Sequence, residues 1–211
     1  MTSLAMLLTL SDSRLPTGGH VHSGGVEEAI TEGLVRDIET LRAFLRRRIR
    51  TTGLVTASIA AAVHTGGLSI AHADRETDAR TPAPAARTAS RAQGRGLARL
   101  ARRVWSDGDW ESLGTAPHLA VAAGAVGTAS GIAPDQTALT VVYTTMTGSA
   151  TAAQRLLALD PGDVAALTFE LSPLCDQTAA EAEKELADLS DPLLDVLAQR
   201  HSARERPLFV S

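Results

Sequence analysis

The chain has a single cysteine, Cys175, and a single lysine, Lys184. One cysteine excludes an internal disulfide and any multi-cysteine metal cluster. It is consistent with a reducing compartment. Aromatic residues make up only 3% of the 211 residues, so ring side chains cannot dominate the core. No apolar run is long enough to cross a membrane. The longest, Leu119 to Ala133, is full of Gly, Ala, Ser and Thr, whereas a span needs about 20 strongly apolar residues. The first ten residues carry no basic stretch, and polar Ser11-Asp12-Ser13 follows at once. No signal peptide is read there. The expectation is a soluble, cytoplasmic protein.

What is present is alanine and leucine, 37 and 27 residues respectively. These are the strongest helix formers, and they argue against an all-β sandwich. The composition, 44% hydrophobic and 21% charged, is that of a globular chain. The net charge of −4 hides an asymmetry. Residues 36–103 hold 14 basic and 5 acidic side chains, and residues 104–211 hold 5 and 15. All basic residues but Lys184 are arginine. Together with the alanine content this reads as codon bias, so the preference for arginine need not be functional.

Periodicity and capping signals predict about eight helices and no strand. Leu4 to Leu10 is a short apolar run that periodicity alone cannot assign. Pro16 to Gly25 is rich in Gly and must be loop. Ser23 or Gly24 can cap a helix from Val26 to about Leu34, with Glu27 and Glu28 in its first turn. Asp37 caps a long helix through about Val63, and Thr65-Gly66-Gly67 ends it. Residues 68–78 read as helical until Thr81-Pro82-Ala83-Pro84 breaks the pattern. A helix from about Ala85 to Trp105 follows, on which Arg87, Arg91, Arg95, Arg99 and Arg102 form one stripe. After a loop at 106–117 comes an Ala/Gly-rich helix over 118–130. Gly124, Gly127 and Gly131 share one side of it and permit close packing. Pro134 starts a helix to about Leu159. A further helix runs from Asp160-Pro161 toward Leu186, with Pro173 as a possible kink. Ser190-Asp191-Pro192 opens the last helix, to about residue 202. The architecture is an all-α, single-domain bundle over 1–211. Residues 1–25 form an N-terminal segment and loop, and 203–211 form a tail.

Few constellations offer chemistry. His20-x-His22 could bind a borderline metal, but two ligands are too few for a tight site. They are weak candidates, set against a packing or hydrogen-bonding role. His64, His72, His118 and His201 are scattered singly and read as structural or surface residues. The Gly18-Gly19 and Gly24-Gly25 pairs fail the phosphate-loop pattern, which needs a Lys after the glycines. They also lack the strand that precedes a dinucleotide-binding turn. Cys175 has no adjacent base and reads as an inert buried thiol. Glu181, Glu183, Glu185 and Asp188 read as a solvated helix face. The arginine stripe, with Arg42, Arg46, Arg47, Arg48 and Arg50, is the sharpest electrostatic feature. It could neutralise nucleic-acid phosphates, pair with carboxylates at a protein interface, or be a solvated face. No interleaved aromatics or DNA-binding motif support the first option.

Several motifs go further. Leu10-Ser11-Asp12-Ser13-Arg14-Leu15-Pro16-Thr17-Gly18-Gly19, then His22-Ser23-Gly24-Gly25-Val26-Glu27, resembles the opening signature of the UreF family of urease accessory proteins. Arg75-Glu76-Thr77 with Gly94 and Leu97 further on is similar to that family's middle arginine-rich helix, and Ala150 to Leu157 to its alanine-x-arginine-leucine helix. Pro192-Leu193-Leu194, Arg200-His201 and Leu208-Phe209-x-Ser211 resemble its C-terminal signature. The chain departs from the pattern at His20-Val21, at Asp160-Pro161-Gly162-Asp163 and at Pro207.

The resemblance implies an all-α homodimer that is not an enzyme. It implies a co-chaperone acting with the accessory protein UreD (also called UreH) and the GTPase UreG to load nickel into apo-urease. No tightly bound cofactor is implied; nickel would be in transit. By the same resemblance, UreD-type contacts fall on Arg200, His201, Leu208, Phe209 and Ser211. Dimer or UreG contacts fall on the loop from Pro16 to Glu27, with Gly18, Gly19, His22, Ser23 and Gly25, and Arg155 is a further partner-binding residue. The apolar tail is expected to order on binding, and deleting 201–211 to abolish partner capture while sparing the fold. The alternative is an Arg-rich helical nucleic-acid binder.

Overall fold

The computed structural model describes residues 4–189 and 191–210. Among them it contains ten α-helical segments and no strand. They are α1 (Leu4–Leu10), α2 (Val26–Thr31), α3 (Ile38–Arg48), α4 (Leu54–His64), α5 (Ile70–Ala79), α6 (Pro84–Val104), α7 (Leu119–Ser130), α8 (Pro134–Leu157), α9 (Pro161–Ala182) and α10 (Pro192–Ser202). The all-α expectation holds. The helix count exceeds the expectation because Leu4–Leu10 is helical and because the long helix from Asp37 is divided. A π turn, Ile49–Gly53, joins α3 to α4 without breaking the rod.

The caps follow from local chemistry. Asp37 accepts from the backbone N–H of Thr40 at 2.8 Å, closing a capping box at the start of α3. Ser69 caps α5 by accepting from the N–H of His72. Asp160 caps α9 through the N–H groups of Gly162 and Asp163. Three ends fall short of expectation. Helix α2 stops at Thr31, and Gly33 takes a left-handed conformation, φ +70°. Helix α8 stops at Leu157, where Ala158 is left-handed at φ 50°. Helix α9 continues through Pro173 but ends at Ala182. Glu183, Glu185 and Asp188 therefore lie beyond the helix rather than on its face. Ser190, expected in the cap of α10, is outside the described residues; Asp191 is the cap.

Helix α4 is the axis of the fold. It is buried almost all round, as expected of a helix with no polar face. Leu54, Ala57, Ala60 and Ala61 face one apolar cluster, built with α3, α8, α9, α10 and Phe209. Val55, Ile59 and Val63 face a second, built with α6, α7, Trp110 and Leu113. Small residues make this possible. A Cβ on Gly124 of α7 would lie 2.5 Å from the carbonyl oxygen of Ala60, so α7 reaches α4 at backbone distance. Gly131, expected on the same packing side, instead ends α7 in a left-handed cap with open space around it.

Candidate functional site

The two ends of the chain meet at α2. Glu27 sits in its first turn and is buried. Its Oε1 accepts the backbone N–H of Leu208 at 2.8 Å, and its Oε2 accepts that of Phe209 at 3.0 Å. The Nε2 of His201, a buried residue of α10, lies 3.2 Å from the same Oε2. One carboxylate thus satisfies a loop-entry helix, the last helix and the tail. Around it, the N–H of Val210 donates to the carbonyl of Val21 at 2.7 Å. Arg204 donates to Glu28 at 3.1 Å and to Thr31. Arg200 pairs with Glu32 at 3.0 Å. The guanidinium of Arg155 lies over the Phe209 ring, 5.8 Å from its centre.

The glycine loop is shaped to reach this junction. Gly25, left-handed at φ 89°, is the N-cap of α2 and faces Leu197 of α10. Ser23 is fully buried; its hydroxyl accepts from the N–H of Glu27 at 3.3 Å and its carbonyl accepts from Ser149 of α8 at 3.0 Å. His22 is buried beside them, and burial, then the neighbouring His20, depresses its pKa. At Gly24 the loop lies against the Arg48 guanidinium. The buried Arg48 Nε has no hydrogen-bond partner among the described residues, and burial lowers the pKa of that side chain to about 10.

His22, Ser23, Gly25, Glu27, Arg155, His201, Leu208 and Phe209 are therefore parts of one junction, although sequence reading puts the N-terminal and C-terminal residues on two separate surfaces and assigns Arg155 to neither. Arg200 lies at its margin. Pro16, Gly18 and Gly19 belong to a different face: Thr17 between them packs its backbone on Gly96 of α6. Ser211 is outside the described residues. The tail expected to order on binding is already held by Glu27 in the isolated chain. Alternation along it buries Phe209 and leaves Leu208 and Val210 exposed, at 81% and 67%.

His20 and His22 join no group of three metal-ligating side chains among the described residues. Asp74, Asp78 and His118 do form such a group, which sequence reading misses. Arg91 sits within it, donating to Asp74 at 2.9 Å, to Asp78 at 2.8 Å and to the carbonyl of Ala116 at 2.6 Å. His118 Nε2 meets Asp78 at 2.8 Å, and its Nδ1 meets Ser90 at 3.0 Å. The guanidinium neutralises the two carboxylates, so the cluster is an internal brace tying α5, α6 and the start of α7. The four-residue spacing of Asp74 and Asp78 is visible in the sequence; their partners are not.

The arginine stripe is divided in the same way. Arg91 is consumed by that brace, Arg87 donates to the Thr81 carbonyl, and Arg102 donates to the carbonyls of Trp110 and Gly114. On α3, Arg42 pairs with Glu39 and Glu170, and Arg47 with Asp191. Cys175 is buried beside Met146, and burial pushes its thiol up to about 12. It is inert at neutral pH. No helix is long and apolar enough to cross a membrane among the described residues.

Known proteins share this architecture of motifs along their full length. The chain is 78% identical to the urease accessory protein UreF of Mycobacterium sp. (strain JLS) and covers all of it. It is also 78% identical to that of Mycolicibacterium vanbaalenii and 72% identical to that of Mycobacterium tuberculosis (strain ATCC 25177 / H37Ra), again over whole chains. The family model UreF matches residues 35–172, the helical body between the two terminal motifs. With the body matched by that model and the joined termini covered by the full-length relatives, the chain belongs to the UreF family of urease accessory proteins.

Proposed function

We propose that the chain is a non-catalytic scaffold in urease maturation, which works in the cytoplasm with a UreD (UreH)-type protein and a UreG-type GTPase to deliver nickel to apo-urease. The observation that carries this reading is the Glu27 junction. It fixes the tail so that Leu208 and Val210 project outward beside exposed Val21, an apolar patch suited to a partner protein. A homodimer is supported by α1, a helix with no buried residue that exposes Leu4 and Leu8 at 69% and 71%.

Nickel is cargo on this reading. The exposed His20 and the buried His22 are at most a transient stop, since two imidazoles hold a metal weakly. The sequence has no phosphate-loop lysine, so GTP hydrolysis belongs to the partner. The nucleic-acid reading loses support from the internal pairing of half the α6 arginines.

The test is reconstitution. Urease subunits and the two accessory partners are expressed with and without this chain, and urease activity and urease-bound nickel are measured. Activation and nickel loading that need the chain, with all partners co-purifying, support the scaffold. Full loading in its absence overturns it.

A further inference from the structure

Helix α6 carries six arginines, and the fold separates them into two sets. Arg87 and Arg91 are half-buried and engaged by the body, and Arg102, though exposed, is engaged by the carbonyls of Trp110 and Gly114. Arg95, Arg99 and Arg103 are exposed, and no ion pair or hydrogen bond engages them among the described residues. At four-residue steps on a helix they stand one above another, ~6 Å apart. Like charges at this spacing repel by a few tenths of a kcal/mol per pair, and among the described residues no carboxylate pairs with them. The stripe is bounded. Gly96 lies between its first two members, and the backbone of Thr17 packs there. Beyond its last member the chain turns into Asp107, Asp109 and Glu111.

We propose that Arg95, Arg99 and Arg103 form a docking stripe for an acidic helix of a partner protein, one that presents carboxylates at four-residue steps. A guanidinium fork pairs with a carboxylate through two parallel hydrogen bonds. Three forks at helical repeat match carboxylates at the same repeat. A nucleic-acid strand fits less well. Its phosphates continue past three contacts and would run into the acidic segment after α6. The stripe bears no aromatic side chain on which bases could stack, and the whole chain is negative, at −4. This inference does not depend on the nickel-delivery reading.

The experiment uses the full-length chain at about 50 mM salt, where screening is modest. Fluorescence anisotropy follows three probes. One is a labelled alanine-based helical peptide with Glu at every fourth position. The second is a peptide of identical composition with its Glu residues dispersed around the helix, and the third is labelled single-stranded and duplex DNA. The matched peptide is expected to bind at least about tenfold tighter than the dispersed one, as bidentate pairing requires register. The variant R95Q/R99Q/R103Q should lose that preference, while R46Q/R50Q, which neutralises two exposed arginines elsewhere, should keep it. Helical content and Tm of both variants are checked by circular dichroism; relief of repulsion should leave R95Q/R99Q/R103Q at least as stable as the parent. Equal binding of the two peptides, or binding unchanged in R95Q/R99Q/R103Q, overturns the proposal. DNA bound more tightly than the matched peptide, with the same arginine dependence, replaces it with a nucleic-acid surface.

Discussion

The carboxylate of Glu27 accepts the backbone N–H of Phe209 at 3.0 Å, across 182 positions of sequence. The same side chain holds the N–H of Leu208 and faces His201. The first helix after the glycine loop is therefore the seat of the tail. Whatever docks on Leu208 and Val210 also touches a surface whose shape is set by residues 21–27.

Glu27→Ala leaves two backbone donors and one imidazole without their acceptor. Each buried unsatisfied group costs about 1–3 kcal/mol. The variant should lose roughly 2–4 kcal/mol of stability, read by urea unfolding. Hydrogen exchange should show residues 203–210 losing protection before the bundle does. Unchanged exchange in the tail contradicts the role given to Glu27.

Deleting 201–211, expected from the sequence to spare the fold, is expected from the structure to cost stability, since it removes buried His201 and Phe209 and strands Glu27. The cleaner variant is L208D/V210D. Both side chains are exposed, so the stability change should stay within about 0.5 kcal/mol per site. Binding of the proposed UreD-type partner, measured by co-purification and calorimetry, should weaken at least about tenfold if these residues form part of the contact core.

Gly24→Ala tests the loop against Arg48. The glycine has φ +65°, and an added Cβ would lie 2.5 Å from Arg48 Nη2 and 2.7 Å from Ser149 Oγ. A loss of about 2 kcal/mol or more is expected. In an Arg48→Ala background the loss should shrink but stay above the ~1 kcal/mol that the left-handed backbone alone imposes, because Ser149 Oγ still lies 2.7 Å from the added Cβ. The double-mutant cycle then reports a coupling of about 0.5–3 kcal/mol. A coupling near zero means Arg48 is not the obstacle.

Stability should fall on mild acidification. Burial lowers the pKa of His22, His64 and His118 below the ordinary 6.5. Below 6.5 the unfolded chain binds protons at these sites before the folded chain does, so protonation favours unfolding. Their contribution is complete above that value and is lost as pH drops toward the lowered folded values, with a slope of up to about 1.4 kcal/mol per pH unit for each histidine. A second loss should come below the ordinary carboxylate value of 3.8. There Asp191, held down against its burial by Arg47, and Asp78, held down against its burial by His118 and Arg91, become protonated. Tm measured between pH 7.5 and 5 should decline, and His64→Gln should flatten part of the slope. A flat profile from pH 7.5 to 5 contradicts the histidine assignment.

The sequence by itself determined what is local. Asp37 and Thr40 stand three apart, so the cap of α3 was legible. So were the Pro starts of α8 and α9 and the glycines that let α7 approach α4. The motif residues at both ends, and with them the family, were equally visible. Helix ends were read less well: Ala158 takes a left-handed conformation that neither periodicity nor composition announces, and Gly33, a residue suited to that conformation, ends α2 before Leu34.

Only the tertiary structure decided which polar side chains face each other. Glu27 looked like a helix-dipole acid and is the anchor of the tail. Arg91 and Arg95 looked like equal members of one stripe. One is half-buried in a brace with Asp74, Asp78 and His118, and the other is left to solvent. Helical spacing places side chains on a face, but burial of a charge is tolerated only where a partner from a distant segment satisfies it. Those partners lie up to 182 positions away, and packing of the bundle, not the local pattern, brings them together.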